Sequence, residues 1–332
     1  MSQQRWHILE KIQVEVAAVA ALAAMYFVFW PYIKPPDVDG TAVFWPLGAY
    51  GQLFTFAAVT WLIAACAAVL TTTARPQGAL LATLVGAGGG CLHSQSMRLL
   101  LMRFSPPGVL LRPLIGEMAC MAVIVLVASL IIRLVRLAIG QIQPSWLRPD
   151  SLAEQAVPAR PPRPFTHGWQ TALAMILTGH RSPDTLLLSP RGRRSIGDVI
   201  TASVANLGLT LLIGLVLIWV FVFQPARGQL LFGVAISFFL AATLAAYLFP
   251  ISFSGPCWIA PLLLGVFFYA RSSTIGDLGP LTWTHVDCFT HILPVDWLSA
   301  GCGGAVGGYW LACRLHDTKL LGQPAKAAVA KA

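Results

Sequence analysis

The chain has 332 residues, of which 57% belong to the apolar class and only 11% are charged. A soluble domain carries about 25% charged residues, so this composition excludes a large soluble core and indicates a protein of the lipid bilayer. The net charge of +9 does not predict nucleic-acid binding, because the basic residues flank apolar segments instead of forming one basic domain.

Eight apolar segments are candidates for transmembrane helices, which need about 20 mostly apolar residues each. They cover residues 12–30, 47–70, 79–102, 109–137, 200–223, 230–249, 257–270 and 297–313. The first ends in Trp30-Pro31-Tyr32, not in the small residues of a signal-peptide cleavage site, so we interpret it as a true span. The sequence therefore predicts an all-α polytopic transmembrane bundle of about eight spans.

The positions of lysine and arginine set the predicted orientation, because cytoplasmic loops are enriched in basic residues. With the N-terminus in the cytoplasm, most of the 22 Lys and Arg residues fall on the cytoplasmic side. An even number of spans then puts the C-terminus there as well. We expect an integral membrane protein of a bacterial inner (plasma) membrane, with both termini cytoplasmic and with the lipid bilayer as its main partner.

A polar segment, residues 140–198, divides the chain into two predicted transmembrane halves, residues 1–139 and 199–318. Each half would hold about four helices, and a parallel internal repeat is one interpretation of this division. Residues 319–332 are expected to form a flexible C-terminal tail.

The cytoplasmic segment combines a Pro/Arg-rich stretch with an amphipathic pattern. Residues 157–164 are too rich in proline for a helix, whereas the apolar residues from Trp169 onward share one helical face and predict a helix on the membrane surface. Arg191, Arg193 and Arg194 follow, and such residues attract anionic lipid headgroups by about 1 kcal/mol each. An ordinary basic cytoplasmic loop is the alternative interpretation.

Glycines mark one face of the third predicted span and one face of the eighth. Small residues at helical spacing let two helices approach closely within lipid. We therefore predict that the third and eighth spans pair. The predicted packing glycines are Gly86, Gly89, Gly90, Gly301, Gly304 and Gly308.

Polar and charged side chains interrupt the third and fourth predicted spans at His93, Gln95, Arg98, Arg112 and Glu117. A charge at the bilayer centre costs about 2.5–3.5 kcal/mol on insertion scales, so it is expected to be paired or functional. Glu117 could pair with Arg98 or Arg112, and the remaining arginine would favour an anionic ligand. The alternatives are a structural ion pair and arginines that extend to the outer headgroups. These five residues are the predicted substrate-binding or ion-pair site.

The longest predicted external loop, residues 271–296, contains His285, Cys288 and His291. This spacing would place three possible zinc or copper ligands along one edge of a helix. Structural zinc sites normally use four ligands, so the alternative is a polar lid that packs over the bundle. Any other cofactor is left open by the sequence.

The sequence contains no nucleotide-binding, metalloprotease or serine-hydrolase signature, and its seven cysteines form no CxxC pair. Three functions stay open: a transporter or permease-like protein for a small anionic solute, a non-catalytic scaffold or subunit of a homo- or hetero-oligomeric membrane complex, and a membrane-embedded metal-dependent enzyme. A transporter predicts a cavity that reaches His93, Arg98 and Glu117. A scaffold predicts that these groups are buried against one another, and a metal enzyme predicts that the loop ligands converge.

Overall fold

The computed structural model describes residues 3–36, 40–104, 106–142, 188–189, 192–193, 196–251, 253–276 and 282–329. Most of the segment 140–198 lies outside the described residues, including the amphipathic pattern from Trp169 and the side chains at Arg191 and Arg194. Of Arg193 only the backbone is described, in a two-residue strand. This strand, β2 (Gly192–Arg193), pairs antiparallel with β1 (Leu188–Ser189). The anionic-lipid cluster therefore stays a prediction.

Helices account for most of the described residues. They are α1 (Gln3–Ala23), α2 (Tyr50–Leu70), α3 (Pro76–His93), α4 (Met97–Arg103), α5 (Gly108–Ile142), α6 (Ile196–Phe221), α7 (Arg227–Leu248), α8 (Gly255–Ser272) and α9 (Cys302–Val329). Because α9 continues to Val329, it includes most of the segment expected to be a flexible tail.

Five helical segments within the described residues are long and apolar enough to cross a membrane. They are Ile8–Ile33, Tyr50–Leu70, Gly108–Ile139, Gly197–Phe221 and Arg227–Leu248. These helices confirm the coarse expectation of an all-helical integral membrane protein in contact with lipid. This number is lower than the predicted number of about eight spans. Helices α3, α8 and α9 are not apolar enough to be counted, because they carry more glycine, proline and polar residues.

Successive long helices run antiparallel, so their connections alternate between two ends of the bundle. At one end the Thr73 hydroxyl, in the turn before α3, donates to the Gln13 side chain of α1 at 2.5 Å. We name this the termini end, because the start of α1 and the second half of α9 meet there through Glu10 and Arg314. The opposite end, the far end, contains the loop after α1, the helix α4 and the turn before α9.

The third predicted span is interrupted. Helix α3 ends at His93, the backbone is extended at Ser94 and Ser96, and α4 starts only at Met97. The expectation of one continuous helix over residues 79–102 is therefore wrong. Serine hydroxyls compete with backbone groups for hydrogen bonds and favour helix starts over helix interiors. Ser96 illustrates this, since its hydroxyl caps α4 by accepting the Arg98 backbone N–H at 3.3 Å.

Two π-helical turns interrupt regular helix geometry near the far end. One, Ala24–Phe29, joins α1 to a further helical turn, Trp30–Ile33. The other, Trp297–Gly301, joins the helical turn Pro294–Asp296 to α9. A π-helical turn frees a backbone carbonyl from its usual partner, and such turns are frequent at functional sites.

The helices differ in how much of their surface faces other helices. Most residues of α3 and α8 are buried, and both helices lie at the centre of the bundle. By contrast, only 22% of the apolar window of α6 is buried, and Leu212, Val216 and Trp219 are exposed along it. An exposed row of large apolar side chains is what a helix in contact with lipid acyl chains requires.

The glycine face of α3 packs against α1. A Cβ atom on Gly86 would lie 2.7 Å from the Cβ of Ala21, and one on Gly89 would lie 2.9 Å from the Cβ of Met25. Gly90 faces the helical turn that follows α1, at ordinary van der Waals distance. The small residues therefore permit a close α1–α3 contact that any larger side chain would prevent.

The glycine face of α9 packs against α7 and α8. A Cβ atom on Gly304 would overlap the carbonyl oxygen of Ala235, and one on Gly308 would overlap that of Phe239. Gly301 lies against a proline of α8. The third and eighth predicted spans do contact each other, but not through these glycine faces, because each face meets a different helix.

Helix α3 nevertheless contacts the last helical segment, through other glycines. A Cβ atom on Gly88 would lie 3.7 Å from the Cβ of Ser299, and one on Gly303 would lie 3.6 Å from the Cβ of Leu84. These are ordinary contacts, so the α3–α9 interface is looser than the α1–α3 and α7–α9 interfaces.

Candidate functional site

A buried ion pair joins two helices at the far end. Arg227 is the first residue of α7, and Asp296 ends the turn Pro294–Asp296. The guanidinium binds both carboxylate oxygens: its Nη1 contacts Oδ2, and its Nη2 donates to Oδ1 at 2.7 Å. The Asp296 side chain is fully buried, and the Leu293 backbone N–H also donates to it at 3.0 Å. A bidentate pair of this kind is geometrically specific and strong when it is withdrawn from water.

The same arginine ties α3 to this pair. Its Nη2 donates to the carbonyl oxygen of Cys91 at 2.9 Å. Carbonyl groups in the last turn of a helix have no partner within the helix and carry partial negative charge, so they favour a cation. The Cys91 thiol lies 2.9 Å from the Ser299 hydroxyl and donates to the Val295 carbonyl at 3.4 Å. The far ends of α3 and α7 and the turns before α9 are thus joined by one polar network.

Glu117 holds the loop after α1. This residue lies in α5 and is fully buried. Its Oε2 accepts the backbone N–H groups of Phe44 and Trp45, both at 2.9 Å. Its Oε1 is buried and has no hydrogen-bond partner among the described residues. The Glu117 carboxylate therefore anchors the loop after α1. The predicted pairing of Glu117 with Arg98 or Arg112 is not formed.

Further hydrogen bonds close the far end around α8. The Tyr269 hydroxyl donates to the carbonyl oxygen of Ile292, and the hydroxyls of Ser272 and Thr290 lie 2.7 Å apart. At the loop after α1, the Ala42 backbone N–H donates to the Ser94 hydroxyl at 2.8 Å. These bonds connect loops to helix ends, so the far end is closed by many polar contacts.

The five residues of the predicted site do not form one cluster. His93 stacks on Tyr26 and Trp30, with ring centroids 3.8 and 5.0 Å away, and its Nε2 donates to the Tyr26 carbonyl at 3.0 Å. That carbonyl belongs to the π-helical turn, so His93 has a structural contact there. Glu117 is buried, as described above. The other three residues lie at exposed positions of the far end: Gln95, Arg98 and Arg112.

The predicted metal ligands are also separate. His285 is exposed and ends the helical turn Thr282–His285, whereas His291 is buried in the next turn, Cys288–His291. The Cys288 thiol instead donates to the Phe223 carbonyl at 3.9 Å. Within the part of the chain that the structure describes, no group of three or more His, Cys, Asp and Glu side chains could hold a metal ion.

A second polar cluster lies at the termini end. Glu10 of α1 is buried and forms an ion pair with Arg314 of α9, with Nη2 and Oε2 3.1 Å apart. The indole N–H of Trp310 donates to Glu10 at 3.1 Å, and the Arg314 guanidinium lies 3.9 Å above the Trp310 ring. Nearby, Arg136 of α5 donates to the Thr71 carbonyl at 3.1 Å. These contacts join α9 to α1, and the end of α5 to the end of α2.

A cleft of about 440 Å³ lies beside this cluster, between α3, α5 and α8. Its walls come from residues 76–80, residues 122–133 and residues 253–259. These are the start of α3, the second half of α5 and the start of α8, so the cleft belongs to the termini end. Ligand pockets commonly measure about 300–1,000 Å³, and this cleft falls within that range.

The cleft ends near the middle of the bundle. Its deepest wall residue on α5, Ala122, lies about 21 Å along that helix from Gly108 at 1.5 Å per residue. One turn farther toward the far end the packing is tight: a Cβ atom on Gly265 of α8 would lie 2.6 Å from Met118 and 3.0 Å from Trp297. The cleft is therefore separated from the far-end polar network by a packed layer.

Among known proteins, no family, no curated protein and no solved structure matches this chain. Conclusions about function consequently depend on the geometry of the two ends.

Sequence reasoning did not select Arg227 and Asp296 as a pair. The residues are 69 positions apart, and each stands at a helix start, where a charge is common for generic reasons. One signal was present: Asp296 follows a proline directly before an apolar segment, and Arg227 also stands directly before one. Two opposite charges at the same end of adjacent spans are candidates for a buried pair.

Proposed function

We propose that this integral membrane protein is a transporter or permease-like protein for a small anionic solute, with its path open toward the termini end. What supports the proposal is the contrast between a cleft at one end and a closed polar network at the other. Alternating access requires that a path be open to one side while it is sealed on the other.

The proposed threading has eight crossings. We add α3, α8 and α9 to the five apolar spans, which gives two halves of four helices with both termini in the cytoplasm of a bacterial cell. Helices that contact protein on most sides need little lipid-facing apolar surface, so their glycine and proline content is compatible with a central position in the membrane. The cleft then opens toward the cytoplasm.

The proposed path differs from the one that the sequence suggested. The cleft is lined by Arg133 and Gln77, not by His93, Arg98 or Glu117. Arg133 supplies positive charge near the opening, as an anionic solute requires. Transport would need a second state, in which the cleft closes and the far-end bonds of Arg227 and Glu117 break. Hydrogen bonds to charged groups are worth about 1.5–3 kcal/mol each, so this second state would be the minor one without a driving force.

A scaffold or complex subunit is the second candidate. The observation that favours it is the burial of Asp296 and Glu117 against fixed partners, which a permanently closed bundle would also have. A scaffold has no need of a second state, so the two candidates differ in whether the far end ever opens.

Cysteine accessibility tests this difference. Single cysteines replace Ser129 in the cleft, Thr41 at the buried far end and Leu212 on the lipid face, in a chain whose native cysteines are substituted. With a membrane-impermeant maleimide, transport predicts that Ser129→Cys reacts from the cytoplasmic side and that Thr41→Cys reacts slowly from the opposite side. Leu212→Cys should stay unlabelled in both cases.

A cross-link between Ala42→Cys and Ser94→Cys supplies the control. The Ala42 backbone N–H donates to the Ser94 hydroxyl at 2.8 Å, so the two residues are direct neighbours. The disulfide should abolish labelling of Thr41→Cys, and a reductant should restore it. If Thr41→Cys is never labelled, the scaffold is favoured. If Ser129→Cys is unreactive from the cytoplasm, the transport proposal fails.

A further inference from the structure

We propose that the cleft between α3, α5 and α8 binds an anionic phospholipid, with one acyl chain in the apolar depth and the phosphate at Arg133. This inference assigns the cleft an amphipathic anion in place of the small solute proposed above, and it rests on the transport proposal only for the idea that the occupant moves on. Binding itself can be measured separately.

The cleft walls are mostly apolar. Ten of the fourteen lining residues are apolar or glycine, and they include Leu80, Ala122, Trp258 and Ile259. A small hydrophilic solute would make few favourable contacts with such walls. A hydrocarbon chain would exchange the apolar surroundings of the bilayer for the apolar walls of the cleft. The lining chemistry therefore favours an occupant with a hydrocarbon part.

Three of the four polar lining side chains lie at one end, and the fourth, Ser129, lies one helical turn deeper. Gln77 stands in the first turn of α3, Ser254 precedes α8, and Arg133 lies in the last third of α5. The deep wall at Ala122 and Val123 is apolar. The cleft thus changes from polar to apolar along the membrane normal, which matches a molecule with a headgroup and a tail.

The charge in the cleft is positive. No Asp or Glu is among the described residues that line it, and Arg133 is the basic one. The N-termini of α3 and α8, at Pro76 and Gly255, point toward the same end and add partial positive charge. An anionic headgroup is the complementary partner, and a zwitterionic headgroup is a poorer one.

Phosphatidylglycerol tests this charge preference, because its headgroup carries a net negative charge whereas that of phosphatidylcholine carries none. Its phosphate would bind Arg133. Gln77 adds a polar side chain at the same end, although its Oε1 is buried and has no surface that a molecule in the cleft could reach.

The cleft also has a route from the bilayer. Val123 and Leu126 form part of its wall on α5, and they are 54% and 43% exposed. In a membrane protein, exposed apolar side chains at this depth contact acyl chains. A lipid can therefore enter sideways from the adjacent leaflet without passing through water.

The experiment measures lipid retained by the full-length protein after purification from mixed micelles of phosphatidylglycerol and phosphatidylcholine, by native mass spectrometry. The wild-type protein should retain phosphatidylglycerol preferentially. Arg133→Gln should reduce its retention about tenfold, as expected for loss of a charge-assisted contact. Lys11→Gln is the matched control, because Lys11 is an exposed basic residue at the same end, outside the cleft, and should change retention less than twofold.

One further variant separates the tail from the headgroup. Ala122→Phe fills the deep wall and should lower retention of both lipids, whereas Arg133→Gln should lower only the preference for phosphatidylglycerol. Variants are compared only where elution profile and thermal unfolding match the wild-type protein. Inorganic phosphate at millimolar concentration should not displace the lipid.

Three outcomes would overturn the inference: equal retention of the two lipids, equal effects of Arg133→Gln and Lys11→Gln, or displacement by inorganic phosphate, which would indicate a site for the free anion. If the lipid is retained but Thr41→Cys is never labelled, transport fails and the binding site stands. If Thr41→Cys is labelled but no lipid is retained, transport stands with another solute.

Discussion

The two ends of the bundle use polar residues differently. At the far end, Arg227, Asp296 and Glu117 are bonded to backbone groups of loops and helix ends, so they close the structure. At the termini end, Glu10 and Arg314 join α1 to α9 on one side, while the cleft beside them is unfilled by side chains. Both ends therefore hold internal charges, but only the termini end combines them with a cleft that could receive a ligand.

The largest expected effect comes from breaking the buried ion pair. Asp296→Asn leaves the Arg227 charge without a counter-ion. Removing one partner of a fully buried pair costs about 3–5 kcal/mol of unfolding free energy, and the 21% exposure of the Arg227 side chain places the expected cost at the lower figure. Thermal unfolding in detergent should show a large drop in Tm. Asp287→Asn is the matched control, because Asp287 pairs with Arg271 at 3.5 Å on the surface, where ion pairs contribute little.

The double variant Arg227→Gln and Asp296→Asn should recover part of the lost stability, since no unpaired charge stays buried. A double variant no more stable than Asp296→Asn would mean that the closed far end depends on something other than charge compensation.

The second-largest effect is expected at the close contact between α7 and α9, which connects the two ends of the bundle. Gly308→Ala would overlap the Phe239 carbonyl oxygen, and such overpacking costs about 1–3 kcal/mol. Gly303→Ala is the control, because its nearest neighbour, Leu84, lies at 3.6 Å and the helix gains from alanine. Chemical denaturation should rank Gly308→Ala well below Gly303→Ala. The reverse ranking would contradict the close α7–α9 approach.

A smaller and more local effect is expected at Glu117. Glu117→Ala removes the acceptor for two backbone N–H groups, so the amides of Phe44 and Trp45 should exchange with deuterium at least tenfold faster, as loss of about 1.5 kcal/mol or more implies. Glu117→Gln keeps a carbonyl acceptor and should give an intermediate rate. Unchanged exchange in Glu117→Ala would show that the loop is held by other contacts.

The smallest expected effect lies at the termini end. Trp310→Phe keeps the aromatic ring beside Arg314 but loses the N–H bond to Glu10, which should cost about 0.5–1.5 kcal/mol. Thermal unfolding measures this change against the Asp296→Asn value. If Trp310→Phe destabilises as much as Asp296→Asn, the two ends contribute equally and the contrast between them disappears.

Much of the fold could be predicted because hydropathy is a local property. The segments 200–223 and 230–249 differ from α6 and α7 by a few residues, and the short segment 257–270 lies within α8. Apolar composition over such lengths is enough to indicate a membrane helix. The break after α3 was missed because glycine and serine are tolerated in membrane helices, and the hydrogen bond from Ala42 to Ser94 spans 52 residues.

The site was harder to predict, since it depends on contacts between distant residues. Periodicity correctly placed small residues on one face of α3, but nothing in that face specifies α1 as the neighbour. Likewise Glu117 stood out as a charge in an apolar segment, yet its partners are backbone groups, which carry no sequence signal. The cleft is a space between three helices, and no single stretch of sequence encodes it.

The glycine-rich composition of α3 has a consequence for biogenesis. As this segment leaves the translocon it offers the lipid little apolar side-chain surface, and its early polar residues, such as Gln77, oppose partitioning. Helix α1, which is already in the bilayer, offers α3 a closely fitting protein surface at the contact between Gly86 and Ala21. This contact replaces the lipid contacts that α3 cannot make. We therefore expect α3 to be inserted as a helical hairpin partner of the earlier segments, and a chain that lacks α1 to be recognised by quality-control proteases soon after synthesis.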